Sequence, residues 1–275
     1  MIQDIAPKAL DNQMRFVAAG PEDLVLAYRG REVLAAQDAE ELRFPTVGEL
    51  ALEAREGLRY LFAIDDVRYF LAPEGVEAPC GYEYISMHAV RLGHPKHESF
   101  ACLTGLQLYE WYRNNVFCGR CGGRTEHSET ERALVCPACG NHVYPKIAPA
   151  IIAAVTDGDR VLLTKYAGRE YRAYALVAGF VEIGETAEET VAREVFEETG
   201  VRVKNVRYYK SQPWGLSGDL LLGYFAELDG SDEITVDKSE LSIAEWVRRE
   251  DLDLEDDGVS LTREMIMAFK RGEKA

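Results

Sequence analysis

Short blocks of apolar residues, separated by polar turn residues, run through most of the chain and predict many short strands. Before residue 95 these blocks come in pairs, 24–28 with 32–36 and 60–64 with 67–71. Each pair is joined by a short polar connection, which predicts two hairpins. Farther along, the same pattern predicts a hairpin of 150–155 with 160–165 and strands near 174–178, 202–211 and 220–227.

Three other segments carry apolar residues at helical spacing. The segment 97–115 contains no proline, and the segment 261–270 places Leu261, Met265 and Phe269 four residues apart on one face. The third segment, 187–199, lies between strong start and stop signals. Strands and helices are mixed without a regular βαβ alternation, so the sequence predicts the α+β fold class.

Composition and charge narrow the classes of function. The chain has 275 residues, of which 47% are hydrophobic, and 31 basic against 47 acidic residues give 31 − 47 = −16. This composition predicts a folded core and argues against a general binder of nucleic-acid backbones. No apolar run approaches the roughly 18 residues of a membrane span, and the amino terminus lacks the order of a signal peptide. We therefore expect a cytoplasmic protein that uses a metal or a local basic patch for any anionic substrate.

Four of the six cysteines are spaced as two Cys-x2-Cys pairs, which predicts a zinc ribbon. Glycines 119, 122, 123 and 140 flank the pairs, as tight turns around sulfur require. Four thiolates leave no open coordination position, so this zinc is expected to be structural. Two disulfides are the alternative, and His127 and His142 are alternative ligands. The predicted ligands are Cys118, Cys121, Cys136 and Cys139.

The cysteines outside the ribbon and the ribbon's arginines carry less information. We interpret Cys80 and Cys102 as buried thiols. Many zinc ribbons contact nucleic acid, but Arg120, Arg124 and Arg132 are too few to favour that function here.

The segment 187–199 predicts an acidic helix with a metal site. Thr186 and the glutamate three residues later form a capping box, and Gly200 is a natural helix stop. Three glutamates at i, i+3 and i+4 share an arc of roughly 100° and offer hard oxygen ligands for Mg²⁺ or Mn²⁺. A solvated acidic face is the alternative. The glutamates are Glu194, Glu197 and Glu198, and the neighbouring arc expected to face the core holds Val191, Ala192, Val195 and Phe196.

The pattern Gly179-x5-Glu185-x7-Arg193-Glu194-Val195-x-Glu197-Glu198-x-Gly200-Val201 resembles the signature of the Nudix hydrolases at every defined position. The resemblance implies an α/β/α sandwich and hydrolysis of nucleoside diphosphates linked to another group. It also implies that Arg193 and Glu185 brace the loop against the helix. The implied catalytic residues are Glu194, Glu197 and Glu198, which with the Ala178 carbonyl and Glu240 would bind Mg²⁺ or Mn²⁺.

The resemblance extends to the NADH pyrophosphatase branch of that family. A strand-rich amino-terminal region, a ribbon, Tyr144-Pro-Lys-Ile-Ala-Pro149, the signature and Ser211-Gln-Pro-Trp214 follow one another. It implies an amino-terminal domain over 1–113, a ribbon over 114–146 and a Nudix domain over 147–275. It further implies cleavage of NAD(H) to NMN(H) and AMP, removal of NAD caps from RNA in some members, and a homodimer. The residues implied to border the substrate are Glu131, Tyr144, Phe180, Gln212, Trp214, Asp219 and Thr262.

Several alternatives stay open at this point. Phe180, implied to stack on a base, and Tyr144 could belong to the core, Glu131 could be a ribbon surface charge, and Glu240 could be an acid at a helix end. Where the family usually continues Pro-Phe-Pro-x-Ser, this chain has 215–219, Gly-Leu-Ser-Gly-Asp, which puts NADH selectivity in question. Other substrates would be ADP-ribose, a dinucleoside polyphosphate or NAD-capped RNA. A non-catalytic nucleotide-sensing or RNA-binding module is the alternative from a different class.

Overall fold

Two units of packing make up the part of the chain that the computed structural model describes, which is residues 1–38, 41–168 and 174–273. The amino-terminal unit contains residues 2–146 and 214–218. The carboxy-terminal unit contains Met1, 147–213 and the chain from Asp219 onward. The amino-terminal region and the four-cysteine segment thus belong to the same unit.

The amino-terminal unit begins with two small sheets. One has the strand order β1-β6-β7-β2, and the other has β3-β4-β5 with β8 paired to β4. Short 3-10 turns lie at Val47–Glu49 and Leu52–Arg55. The strands are β1 (Leu10–Asp11), β2 (Leu24–Leu26), β3 (Tyr28–Arg29), β4 (Glu32–Asp38), β5 (Glu41–Arg43), β6 (Arg59–Ile64), β7 (Val67–Leu71) and β8 (Glu83–Ser86).

One of the two predicted hairpins here is confirmed, and the other is only partly right. Strands β6 and β7 pair antiparallel across the turn at Asp65, which has a φ of 52°. The predicted strand 24–28 is split instead. Its first part, β2, pairs parallel with β7, and only β3 pairs with β4. The pattern of apolar residues cannot report this split because both parts are buried.

A long helix packs on these sheets. It is α2 (Lys96–Asn114), and it follows the short helix α1 (Met87–Val90). A Cβ at Gly105 of α2 would lie 2.4 Å from Cδ1 of Leu26 and 2.5 Å from Oη of Tyr28, so the helix approaches the strands closely there. The Tyr28 hydroxyl donates a hydrogen bond of 2.6 Å to the Cys102 carbonyl. Cys102 is buried as expected, whereas the expectation of a buried Cys80 is wrong because that residue is exposed.

The carboxy-terminal unit is built on one mixed sheet with the order β15-β16-β12-β13-β17, and β14 pairs with β12. Strands β12 and β16 run parallel, whereas β12 with β14 and β13 with β17 are antiparallel. A 3-10 turn lies at Arg249–Asp251. The elements are β12 (Ala148–Asp157), β13 (Arg160–Tyr166), β14 (Val177–Phe180), α3 (Ala187–Thr199), β15 (Val203–Trp214), β16 (Asp219–Leu228), β17 (Leu241–Arg248) and α4 (Leu261–Lys270).

The four-cysteine segment of the amino-terminal unit has three short strands of its own. They are β9 (Glu126–His127), β10 (Leu134–Val135) and β11 (His142–Val143).

Alternate residues of the sheet point to two cores, which makes the unit an α/β/α sandwich. Ile152 and Ala154 of β12 pack with α4 in one core, and Ile151 and Ala153 pack with α3 in the other. A strand buried on both faces reads as a continuous apolar run, as β12 does. The predicted sandwich is therefore confirmed. None of the helices within the described ranges is long and apolar enough to cross a membrane.

Two local expectations in this unit need correction. The strand expected near 174–178 is β14 and begins only at Val177, because Ala175 forms an isolated bridge to Thr164 instead. On α3, Val191 and Val195 face the core as expected, but Ala192 and Phe196 are exposed. The buried arc of α3 turns the other way and takes in Glu198 and Thr199.

Candidate active site and zinc ribbon

The four ribbon cysteines converge on one point. Their Sγ atoms all lie within 4.8 Å of one another. Cys118 and Cys139 are 3.7 Å apart, and Cys121 and Cys136 are 3.4 Å apart. A tetrahedral zinc with Zn–S bonds of about 2.3 Å separates its sulfurs by about 3.8 Å. The cluster therefore fits a structural zinc, and disulfide pairing is excluded because all four cysteines are free.

Two matching turns hold these sulfurs. The amide of Gly122 donates to the Cys118 carbonyl, and the amide of Gly140 donates to the Cys136 carbonyl, each at 2.8 Å. Both glycines have positive φ, 74° and 69°, which explains why glycine stands there. The backbone amide of Arg120 donates to the Cys118 sulfur at 3.4 Å and is the largest cause lowering the pKa of Cys118 to about 6. A thiolate is the form that binds zinc.

The acidic helix α3 is bounded as the sequence predicts. The Thr186 hydroxyl accepts from the amide of Glu189, whose carboxylate accepts from the Thr186 amide at 2.8 Å. At the other end Gly200 adopts a left-handed φ of 71°. Because both ends are fixed by local hydrogen bonds, the register of the glutamates along α3 is fixed as well.

The first glycine of the signature makes room for a carboxylate. A Cβ at Gly179, in β14, would lie 2.1 Å from Cδ of Glu194 and 2.2 and 2.5 Å from its two oxygens. No real side chain tolerates such distances, so Glu194 rests directly against the strand backbone. The predicted ligand Ala178 is the neighbouring residue of the same strand, opposite Ile152.

One arginine ties the loop to the helix. Arg193 donates from Nε and Nη2 to the two oxygens of Glu185, at 2.6 and 2.9 Å, and from Nη2 to the Phe180 carbonyl at 3.1 Å. Its Nη1 reaches Glu194 at 2.7 Å and Glu197 at 3.0 Å. This pairing lowers the pKa of Glu185 to about 2, with Arg193 as the largest cause. The geometry agrees with the bracing role that the resemblance implies.

Thr190 supports the same carboxylate, and sequence reasoning missed it. Its hydroxyl donates to Glu185 at 2.9 Å, and Thr190 is fully buried. The only signal in the sequence was its position on the buried arc of α3, next to Val191. A hydroxyl on a core-facing position requires a partner, and here the partner is the loop acid.

Burial and neighbouring acids raise the pKa of Glu194. Burial is the largest cause, Arg193 opposes it, and the charges of Glu197 and Glu240 add to it. Glu240 reaches this region because residues 235–237 run beside the end of α3, where the amide of Thr235 donates to the Thr199 carbonyl at 2.9 Å. Glu240 lies in the turn before β17 and is not at a helix end, so that alternative is excluded.

The acids of α3 are candidates for holding a divalent cation. Glu198 is only 3% exposed although it is a carboxylate, and the charges of Glu197 and Glu240 act on Glu194. Arg193 pairs with Glu194 and Glu197 and offsets part of their repulsion, and a divalent cation would offset more of it. Glu194, Glu197, Glu198 and Glu240 are the side chains that could hold such an ion.

The aromatic residues assigned to the substrate are not core residues. Phe180 and Tyr144 are each 55% exposed, which excludes the alternative that they fill the core. Phe180 ends β14 in the carboxy-terminal unit. In the amino-terminal unit, the Tyr144 hydroxyl donates to Glu131 at 3.1 Å, and His142 lies 3.7 Å from the same carboxylate. Glu131 is thus an exposed acid with two ribbon partners.

Gln212 and Thr262 lie near the start of α4. Gln212 is fully buried, donates from Nε2 to the Val259 carbonyl at 2.8 Å and accepts from the Leu261 amide at 2.7 Å. Contacts within its own unit therefore engage both ends of this amide. Thr262 lies in the first turn of α4 and is half-buried.

The segment that departs from the family pattern is a tight turn between β15 and β16. The amide of Gly218 donates to the Trp214 carbonyl at 3.0 Å. A Cβ at Gly215 would lie 2.0 Å from the Leu103 carbonyl oxygen, so only glycine fits there. Asp219, the first residue of β16, is 7% exposed and therefore does not project freely into solvent.

Comparison with known families agrees with this geometry. Residues 146–269 match the NUDIX domain, and residues 113–144 match the NADH pyrophosphatase zinc ribbon domain. The carboxy-terminal part of the chain is therefore similar to Nudix domains, and the four-cysteine segment is similar to the zinc ribbon of NADH pyrophosphatases.

The chain is also similar to curated relatives and to a solved structure. The NAD-capped RNA hydrolases NudC of Salmonella typhi and of Enterobacter sp. (strain 638) are each 47% identical over 150 residues. Each match covers 54% of this chain and 58% of the relative, so it spans little more than half of either protein. A NUDIX hydrolase structure from Nitrosomonas europaea is 23% identical with a TM-score of 0.49, covering 56% of this chain and 90% of that one.

Proposed function

We propose that this protein is an NAD(H) diphosphatase, which hydrolyses the pyrophosphate of NAD(H) with water to give NMN(H) and AMP. The observation that carries the proposal is the carboxylate cluster around Glu194, which rests against Gly179 and is approached by Glu197 and Glu240. A binding-only module has no need of such a crowded acidic cluster. The zinc ribbon of the NADH pyrophosphatase type supports NAD(H) as the substrate.

In this proposal, different residues of the chain hold the metal ion, accept a proton and contact the substrate. A divalent cation, Mg²⁺ or Mn²⁺, would neutralise the charge that develops on the pyrophosphate. Glu194, Glu197, Glu198, Glu240 and the Ala178 carbonyl would hold it, and a carboxylate of this set would accept the proton of the attacking water. The exposed ring of Phe180 would stack on a base of the substrate.

The remaining substrate residues are proposed with different roles. Glu131 and Tyr144, joined by their hydrogen bond, would border the substrate from the ribbon. Trp214, Asp219 and Thr262 would also border the substrate, while Gln212 would act by positioning α4.

The preferred metal ion is a separate question. Measuring NADH hydrolysis with Mg²⁺ and with Mn²⁺ at matched concentrations identifies it.

NAD-capped RNA is a second candidate substrate. The relatives that are 47% identical are named NAD-capped RNA hydrolases, and the same pyrophosphate bond would be cleaved. Direct competition between NADH and an RNA carrying an NAD cap, at equal concentration, would rank the two substrates.

The test of the reaction is product analysis by chromatography after incubation with NADH and Mg²⁺. AMP and NMNH are expected from the wild type. Glu198→Gln removes one buried charge with almost no change in shape, so kcat should fall by about two to three orders of magnitude. Glu188→Gln is the matched control, because Glu188 is an exposed acid of the same helix.

The outcomes separate the proposals. Near-normal turnover by folded Glu198→Gln protein would remove Glu198 from the mechanism. Failure of the zinc-loaded wild type to cleave NADH would overturn NAD(H) as the substrate. The turn at 215–218, where the chain departs from the family pattern, would then be the first place to look for the change in specificity. The homodimer and the cytoplasmic location are further proposals. Light scattering tests the dimer, and cell fractionation tests the location.

A further inference from the structure

A cavity lined by several arginines lies in the amino-terminal unit. A cavity of about 250 Å³ forms where residues 14–17 and the start of β6 meet the ribbon. Three arginines from three separate segments line it, Arg15, Arg59 and Arg132, with Glu131 as the one lining carboxylate. The lining side chains carry 3 − 1 = +2, and Asp11, which pairs with Arg15 but does not line the cavity, reduces this to +1, in a chain whose net charge is −16. Such a local concentration of positive charge attracts anions.

Two of these guanidinium groups have no carboxylate partner among the described residues. Arg15 pairs with Asp11 at 2.5 Å. Arg59 instead lies over the ring of Tyr112, 4.5 Å from its centroid, and Arg132 donates to the Leu61 carbonyl at 2.5 Å. Burial lowers the pKa of both arginines, which means that their charge is costly where it stands. An anion in the cavity would offset that cost.

A buried polar atom beside the cavity also lacks a partner. Nη1 of Arg132 has no hydrogen-bond partner among the described residues, and the buried hydroxyl of Tyr60 has Arg15 as its polar neighbour. Arg15 is close enough to Tyr60 to act on its pKa, but burial is the larger effect and raises it. Tyr60 is 3% exposed. Buried donors without partners are rare in folded proteins and often mark a ligand position.

Aromatic rings complete the lining. Tyr112 and His127 make an edge contact at 5.2 Å. Burial, followed by the charge of Arg59, lowers the pKa of His127 to about 4, so this ring is neutral near neutral pH. Phe16 also lines the cavity and is 57% exposed. Arginines interleaved with accessible rings are the combination that binds a phosphate and stacks on its base.

We propose that this cavity binds one nucleoside phosphate unit, either a free mononucleotide or one residue of a single-stranded RNA. Pockets for whole ligands usually measure about 300–1,000 Å³, so 250 Å³ holds one unit and is too small for a dinucleotide. The arginines contact the phosphate, and Phe16 stacks on the base. The cavity shares Glu131 with the residues proposed to border NAD(H), but binding of a nucleoside phosphate here does not require the proposed hydrolysis.

The test measures binding of ligands that contain no pyrophosphate. Fluorescence anisotropy with a 5′-phosphorylated, dye-labelled oligoadenylate RNA reports the affinity, and AMP and inorganic phosphate are added as competitors. Arg59→Gln should weaken RNA binding by about tenfold at low salt. The matched control is Arg124→Gln, which removes the same charge from an exposed ribbon position that does not line the cavity, and it should change the affinity by less than about twofold.

A second variant keeps the test independent of folding. Phe16→Ser changes an exposed side chain and should weaken RNA and AMP by about fivefold or more, while leaving competition by inorganic phosphate unchanged. Competition by AMP at a similar affinity would identify a free nucleotide as the ligand, and RNA binding without AMP competition would identify an RNA segment. Equal losses in the Arg59 and Arg124 variants, an unchanged Phe16 variant, or no binding by the wild type would each overturn the proposal.

Discussion

Replacement of Gly179 by alanine tests whether the first glycine of the signature exists to seat Glu194. The added Cβ would lie 2.1–2.5 Å from three atoms of the Glu194 carboxylate, whereas ordinary contacts begin near 3.4 Å. The carboxylate must therefore withdraw by about 1 Å. A displacement of that size in a catalytic group can cost about 100-fold in rate, equivalent to about 2.7 kcal/mol of activation free energy.

The fold itself should survive this change. Gly179 does not have a positive φ, so alanine can adopt its backbone conformation. Glutamate is also flexible enough to swing away from the strand. We therefore expect Gly179→Ala to melt within a few degrees of the wild type, while kcat for NADH falls by about 100-fold and Mn²⁺ affinity, measured by titration calorimetry, falls with it.

A rescue experiment separates this steric effect from general damage. Glu194→Asp shortens the acid by one methylene and makes room for the new Cβ. It should therefore be less harmful in the Gly179→Ala background than in the wild type, giving a measurable coupling energy. Gly119→Ala is the control glycine, because Gly119 does not have a positive φ, contrary to what its place beside Cys118 suggested, and no atom lies within 4 Å of its added Cβ. Turnover within threefold of wild type for Gly179→Ala, or strictly additive losses, would refute the reasoning.

Three further outcomes follow from the structure. Cys136→Ser breaks the zinc cluster and should lower the melting temperature, while the kcat of the protein that remains folded changes little. An unchanged melting curve would contradict a structural zinc. Gly105→Ala should destabilise the amino-terminal unit by about 1–3 kcal/mol in urea unfolding, because its Cβ would lie 2.4 Å from Leu26, and a neutral result would contradict the close approach of α2. Arg193 lowers the pKa of Glu185 from 4.5 to about 2, so this ion pair stabilises the fold fully above pH 4.5 and loses its effect as the pH falls toward about 2. The difference in melting temperature between the wild type and Glu185→Gln should therefore shrink below pH 4.5, and a constant difference would show that the pair does not stabilise the fold.

Much of the local structure could be predicted from the sequence. The bounds of α3 were predicted from Thr186 and Gly200, because a helix cap depends only on residues within one turn. The cysteine spacing predicted the zinc cluster, because each Cys-x2-Cys pair forms a short local turn that presents two sulfurs to one metal. The split between β2 and β3 could not be predicted. Strand partners can lie far apart in the sequence, and a run of apolar residues does not indicate which strand it pairs with.

The buried face of α3 shows a subtler limit. Hydrophobicity predicted that Ala192 and Phe196 face the core, yet the core side of α3 holds Glu198 and Thr199. The position of β14 decides this orientation, because Glu194 packs against Gly179 of that strand. An acidic residue can occupy a buried position when neighbouring groups or a cation compensate its charge.

The sequence by itself determined most of the elements, the caps of α3, the ribbon ligands and the residues of the acidic cluster, because each of these depends on residues close together in the chain. Only the tertiary structure decided that Glu240 approaches Glu194, that Gln212 is fully buried, and that Arg15 and Arg59 join Arg132 around one cavity. Arginines counted along the ribbon were too few to indicate an anion site. The fold brings Arg15 and Arg59 to Arg132 from more than 70 positions away in the sequence, and no local sequence pattern predicts that approach.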